Sequence, residues 1–213
     1  MNAIRHLSKF AVPLLGLLLV NCATKKAPPP TATGGQNVNP YPVGSYEHFK
    51  AERSYPKTSR VWKNQALLSR TNPSNSHLRI DLAKQRGLLM NGEKVAMDYP
   101  ICSGREGHET PPGEFTILEK AVEKKSNRYG RIYDADNQCV KRDADATTDT
   151  IPEGGRFEGA SMRYWMRLTN DGVGHHIAQV FRYPASHACI RGPEAAIPIV
   201  YDKVKLGTKV SVE

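Results

Sequence analysis

No apolar run in this 213-residue chain is long enough to cross a membrane comfortably as a helix. The run Phe10 to Val20 holds 11 residues, whereas a ~30 Å hydrocarbon core needs about 20. No segment recurs at a fixed period, so a repeat architecture is excluded. Zinc spacing is missing as well. There is no Cys-x-x-Cys and no His-x3-His pair, and a structural zinc site draws four ligands from compact pairs. His108, His175, His176, His187 and Cys189 supply the ligand types without that spacing. The acidic stretches DADNQ (134–138) and DADAT (143–147) lack the glycine and the terminal glutamate of a calcium loop. No metal and no cofactor is expected. Cysteine is scarce, with four in all: Cys22, Cys102, Cys139 and Cys189.

What is present begins with an export signal. Arg5 and Lys9 form a basic start, and the apolar run follows. This layout marks a secretory signal over residues 1–21, to be set aside from fold reasoning. The run ends in LVNC, which resembles a bacterial lipobox, with Asn21 in place of the usual small residue. The resemblance implies lipidation at Cys22 and anchoring to a membrane by acyl chains. A plain signal peptide or an uncleaved anchor is the other reading. Residues 23–46, rich in Pro, Gly, Thr and Asn without an apolar period, read as a flexible tether. The expected organisation is a signal (1–21), a lipid-anchored tether with a short helix (22–75) and a folded domain (76–213). The net charge of +9 falls to +7 once Arg5 and Lys9 leave with the signal. An exported chain rarely meets nucleic acid, so anionic lipids or carboxylate-rich peptides suit that charge better.

Residues 59–70 carry Val61, Trp62, Gln65 and Leu68 near helical spacing, which predicts a short helix. TNPSNS (71–76) is a boundary. The period then changes to two. Leu78, Ile80 and Leu82 alternate with Arg79, Asp81 and Ala83. Strands follow at Gly87–Met90, at Val95–Ile101 and at Phe115–Leu118. Asn91-Gly92 is read as the central pair of a type I′ hairpin turn. Residues 119–160 are polar and turn-rich, and predict loops with a small hairpin at DADNQ. A second hairpin is expected at NDG (170–172). A helix with Ala196, Ile199, Val200 and Val204 on one face, then a closing strand, complete a β-rich domain.

Cys189 lies in YPASHACIRGP (183–193). It is half of a disulfide, a metal ligand, a buried thiol or a nucleophile. Three ordered features bear on the choice: Thr110, Pro111, Gly113 and Phe115 in SGREGHETPPGEF, then GHH (174–176), then SHACIR (186–191). Together they resemble the L,D-transpeptidase catalytic domain, the YkuD family, over roughly Ser76 to Glu213. The resemblance implies a mainly β fold, an L,D-transpeptidase-like β-sandwich of mixed sheets with one or two short helices. It also implies an envelope-anchored, periplasm-facing monomer acting on peptidoglycan stem peptides. Cys189 would attack the stem-peptide carbonyl, release the terminal D-alanine and hand the acyl group to an amine.

The resemblance assigns the base to His176, oriented by the carbonyl of Ile177. Free cysteine needs such help, since its pKa lies near ~8.5. Neighbouring strand residues face opposite ways, so His175 and His176 cannot both reach the site. Ser186 and His187 would brace the turn. The N–H groups of Ala188 and Cys189 would form the oxyanion hole. Arg191 is either a fork for a substrate carboxylate or a structural salt bridge. Cys102 and Cys139 remain, to pair in an oxidising periplasm or to stay as two buried thiols.

The chain departs from the family at three places. Ala188 replaces a glycine, IAQVF follows His176, and only nine residues separate His176 from Ser186. An alanine at a position needing φ > 0 is strained.

Overall fold

A computed structural model describes residues 38–213, so the signal and lipobox fall outside the described residues. In chain order the elements are α1 (Tyr46–Lys50), β1 (Trp62–Lys63), α2 (Gln65–Leu68), β2 (Ser76–Asp81), β3 (Arg86–Asn91) and β4 (Lys94–Pro100). Next come β5 (Gly113–Thr116), β6 (Glu119–Ala121), β7 (Lys125–Tyr133), β8 (Cys139–Asp145) and β9 (Arg156–Ser161). The chain closes with β10 (Trp165–Arg167), β11 (Gly174–Ile177), β12 (Ile190–Gly192), α3 (Ile197–Lys203) and β13 (Lys209–Val212). The fold is mainly β, as expected; over Ser76–Glu213 it carries one short helix, α3, within the one or two expected, and α1 and α2 lie upstream of that stretch.

Three sheets form. Their strand orders are β1-β4-β3-β2-β13-β5, β12-β11-β10-β6 and β8-β7-β9. Two pairings, β2 with β13 and β11 with β12, are parallel. The first two sheets are therefore mixed. The period-two reading of β2 holds: Leu78 and Ile80 are buried and Arg79 is exposed. Their core partners include Leu89 and Tyr99 from the large sheet, Ile101 just past the end of β4, Met166 and Ile190 from the smaller sheet, and Ile197 and Val200 from α3. Burying each such aliphatic side chain stabilises the fold by about 1.5–3 kcal/mol.

The β3–β4 hairpin sits one residue later than expected. Asn91 pairs with Lys94, so Gly92 and Glu93 are the central residues, and of those two only Gly92 has positive φ, +54°. A glycine in the first central position suits a type II′-like turn rather than type I′. The helix expected over 59–70 is shorter than its apolar spacing suggested. Trp62 and Lys63 pair with Asp98 and Met97 at the edge of β4. Asn64 then caps α2 by accepting the N–H of Leu67 at 3.0 Å.

Residues 119–160 are more regular than expected. They hold β6 and the whole of the third sheet apart from the last residue of β9. The hairpin at DADNQ is present, closed by the Asp134 N–H donating to Gln138 O at 3.0 Å. The NDG hairpin joins β10 to β11.

The folded unit starts upstream of Ser76. Ser45 caps α1, and Phe49 is buried. Residues 46–60 lie as a strap over Arg86 and Asp98, which are buried on β3 and β4. Tyr46 and Tyr55 donate to Asp98 Oδ2 at 2.9 and 3.3 Å. Arg86 donates to the carbonyls of Thr58 and Arg60 at 2.9 and 3.2 Å. The strap thus supplies partners for a charged pair that burial would otherwise leave underbonded.

Candidate functional site

Strand alternation on β11 sorts the two histidines. His175 pairs with Met166 on β10 and with Ile190 on β12, on the core side. Its Nδ1–H donates to Ile190 O at 2.7 Å, so Nε2 is left to accept from Tyr99 Oη at 3.1 Å. Both ring nitrogens are spent. Burial pushes its pKa down to about 4, so it is neutral at physiological pH.

His176 faces the other way, into a cleft. Its Nδ1–H donates to the carbonyl of Ile177 at 2.9 Å. That bond fixes the tautomer and leaves Nε2 with a bare lone pair. Burial pushes this imidazole down to about 4 as well; the Ile177 carbonyl opposes the shift, and His175 and Arg191 add to it. The indole of Trp165 lies 5.9 Å from the ring.

Cys189 immediately precedes β12. The register His175↔Ile190 carries it beside Gly174, diagonal to His176 on the cleft face. The thiol is half-buried and donates weakly to Gly172 O at 3.8 Å. Burial pushes its pKa up, against the pull of the Gly174 backbone and Arg191. The resting pair is therefore a neutral thiol and a neutral imidazole.

The turn before Cys189 is held from several sides. The Ser186 N–H donates to Ser103 O at 3.0 Å, and its carbonyl accepts the Arg105 N–H at 2.9 Å. Ser186 Oγ donates to Cys189 O. Ala188 has φ +76°, the left-handed region, as its replacement of a glycine implied. Among the described residues neither the Ala188 nor the Cys189 N–H has a hydrogen-bond partner. His187 braces the turn through contacts the sequence did not disclose. It accepts from Arg105 Nη2 at 2.7 Å and stacks on Tyr129 of β7 with centroids 4.0 Å apart.

The cleft has a volume of about 760 Å³. His176, Cys189, Arg191 and Trp165 line it together with Ser126 to Tyr129 of β7 and Ser161 of β9. Arg191 is tied by its backbone to Cys102, each N–H donating to the other's carbonyl at 2.9 Å. Its guanidinium has no carboxylate in ion-pair range among the described residues. The salt-bridge reading of Arg191 therefore finds no partner.

The pairing of Cys102 with Cys139 does not occur. Cys102 is fully buried beside Arg191, whereas Cys139 is exposed at the start of β8, so both thiols are free. Among the described residues no three His, Cys, Asp or Glu side chains gather to hold a metal ion. Thr110, Arg105 and Tyr129 were not assigned roles from sequence. The Thr-Pro stretch was the available signal for Thr110; nothing in the polar 119–160 segment singles out Tyr129.

A family model described as YkuD, the L,D-transpeptidase catalytic domain, matches residues 75–212. Among solved structures the chain is similar to an L,D-transpeptidase from Mycobacterium smegmatis, with 20% identity, coverage of 65% of this chain and 58% of that one, and a TM-score of 0.49. It is also similar to an L,D-transpeptidase from Stackebrandtia nassauensis, at 16% identity, 68% and 59% coverage and a TM-score of 0.47. L,D-transpeptidase 3 from Mycobacterium tuberculosis, in complex with a faropenem-derived adduct, shares 19% identity over 65% of this chain and 60% of its own, with a TM-score of 0.48. The chain thus spans less than two thirds of each of these structures. No curated protein matches.

Proposed function

The chain belongs to the YkuD family, the L,D-transpeptidase catalytic domains, through residues 75–212, and from that premise we propose that it is a peptidoglycan L,D-transpeptidase using Cys189 as nucleophile and His176 as base. The observation that carries this reading is the facing of a thiol and a tautomer-locked, unprotonated imidazole into one cleft. With both groups neutral at rest, proton transfer accompanies attack. As Sγ bonds to the scissile carbonyl carbon, the thiol proton passes to His176 Nε2. The carbonyl oxygen becomes an oxyanion facing the N–H groups of Ala188 and Cys189. Each such donor contributes about 2.7–4 kcal/mol to a comparable transition state. The C–N bond then breaks, His176 returns the proton to the leaving amine of D-alanine, and an acyl-enzyme remains. An acceptor amine attacks that thioester, gives a proton to His176 and expels the thiolate, which takes it back. The unpaired guanidinium of Arg191 suits a stem-peptide carboxylate.

Intact-mass spectrometry after exposure to a carbapenem tests the nucleophile. The β-lactam ring opens onto the thiol and adds its full mass. The expected result is a single adduct that Cys189→Ala abolishes. An adduct surviving in that variant sinks the assignment. In cells, Cys189→Ala should remove 3→3 cross-links or protein–peptidoglycan links from the muropeptide profile.

The strained alanine favours a second reading, a lipoprotein that binds stem peptides in the same cleft without turnover. That reading requires muropeptide binding with no carbapenem adduct on the wild type. In either case we propose a chain exported by residues 1–21, lipidated at Cys22 and held by its tether at the periplasmic face of a membrane, as a monomer. Cys22→Ala should then move the protein from the membrane to the soluble envelope fraction; unchanged fractionation counts against it.

A further inference from the structure

The hydroxyl of Thr110 makes two hydrogen bonds whose directions are fixed by their partners. It accepts the Gly104 N–H at 2.9 Å and donates to the Ala188 carbonyl at 2.6 Å. Thr110 is buried and does not line the cleft; Ala188 and Cys189 do. The Ala188 carbonyl is thus drawn away from the cleft, toward the loop beneath the turn. In a trans peptide the C=O and the following N–H point in opposite directions. Pinning the Ala188 carbonyl to Thr110 therefore aims the Cys189 N–H at the cleft, where it has no partner among the described residues.

Such a hold is needed here. Ala188 sits at φ +76°, the left-handed region in which a Cβ crowds the following carbonyl oxygen. A strained turn persists only where its surroundings over-determine it. The loop supplying Thr110 is folded tightly enough to do this. A Cβ on Gly104 would fall 1.9 Å from His108 O, so a side chain there would push the loop open. Ser103 and Arg105 bind the same turn through backbone hydrogen bonds.

We infer that Thr110 is the positioning residue of the oxyanion hole: its hydroxyl clamps the Ala188 carbonyl and so holds the Cys189 N–H where a carbonyl oxygen becomes an oxyanion. The inference rests on the catalytic reading of Cys189 given above. Thr110 touches no reacting atom. Its effect belongs to reactions that pass through a tetrahedral intermediate and not to thiol chemistry at large.

Two reactions of the Cys189 thiol, each followed at that residue by peptide mass because exposed Cys139 also alkylates, separate these. Imipenem acylates: the Sγ–C bond forms, the ring C–N bond breaks, and the thiol proton ends on the ring nitrogen. Iodoacetamide alkylates: the Sγ–CH₂ bond forms, iodide leaves, the proton goes to solvent, and no oxyanion arises. Thr110→Val keeps the side-chain volume and removes the hydroxyl; Thr110→Ser keeps the hydroxyl. Thr110→Val is expected to slow acylation by about 100-fold or more, the range for losing an oxyanion donor, with alkylation near the wild-type rate. Thr110→Ser restores acylation. Thr110→Ala replaces Thr110→Val in the comparison if the valine variant does not fold. Acylation by the hydroxyl-less variant at the wild-type rate overturns the inference alone, as does an equal fall in both rates. A wild type that imipenem never acylates overturns the catalytic reading and the clamp with it.

Discussion

Arg86 Nε donates to Asp98 Oδ1 across 2.6 Å, and neither side chain is more than 1% exposed. This pair lies between the large sheet and the strap of residues 46–60. Phe49 and Tyr55 cover the guanidinium, each with its ring centroid within 5.6 Å of it. Removing one partner from a buried charge pair costs about 3–5 kcal/mol, because the other charge stays buried alone. Asp98→Ala should therefore lose about that much in urea unfolding. Tyr46→Phe should lose about 1.5–3 kcal/mol, the net worth of one hydrogen bond to a charged group. A chain starting at Asn75, where the family match begins, lacks the strap and should be destabilised in the same direction. Equal midpoints for the two lengths would show that the strap adds nothing.

The neutral resting pair has a pH signature. Burial drives His176 down to about 4 and drives the Cys189 thiol up. A lowered imidazole pKa means that the base stays unprotonated as pH falls through the usual histidine value of about 6.5. Carbapenem acylation should therefore hold nearly level from about pH 7 to about pH 5 and halve only near about pH 4. Stability runs with it. The unfolded chain binds protons in that window that folded His175 and His176 do not, so stability falls as pH drops from the unfolded value toward about 4. Rates and urea midpoints measured at each pH separate the two effects. A half-maximal rate near the ordinary histidine pKa would show that burial does not govern the base.

Strand alternation said only that His175 and His176 cannot share a face; it was the family resemblance that singled out His176, and the structure turns His175 to the core and His176 to the cleft. Ala188 was legible through the same resemblance, as an alanine where the family has glycine, and the structure supplies the left-handed φ. The third sheet was not legible. β8 is exposed along five of its seven residues and β7 pairs with interruptions, so neither strand carries an apolar alternation to read. The strap escaped notice because its partners, Arg86 and Asp98, are charged residues that composition assigns to the surface. The Thr110 clamp depends on a contact between residues 78 positions apart. A motif can mark such a residue but cannot say what its hydroxyl touches.

Thiol counting follows from the placement of the three described cysteines. Cys139 is exposed, Cys189 half-buried and Cys102 buried. A disulfide-forming reagent should react fast with Cys139, more slowly with Cys189, and with Cys102 only after unfolding, since the thiolate must be both formed and reachable. The total in denaturant should be the same with and without prior reduction. Two additional thiols appearing on reduction would reveal a bridge between Cys102 and Cys139 and displace the arrangement seen here.

Ala188→Gly probes the turn from the opposite side to Thr110. The left-handed φ of +76° costs alanine roughly 1–2 kcal/mol that glycine does not incur. Glycine in turn loses more backbone entropy on folding, by roughly 0.5–1 kcal/mol. The second offsets part of the first, so the variant should gain between about 0 and about 1.5 kcal/mol in urea unfolding. Its acylation rate is the more informative quantity. If Thr110 already holds the turn against the strain, relieving that strain changes little, and Ala188→Gly should acylate at close to the wild-type rate. Combined with Thr110→Val, the glycine should recover part of the lost rate, because a turn that is unstrained needs less holding. Additive behaviour, with the double variant no faster than the product of the single effects, would mean that the hydroxyl and the methyl group act on the oxyanion hole independently.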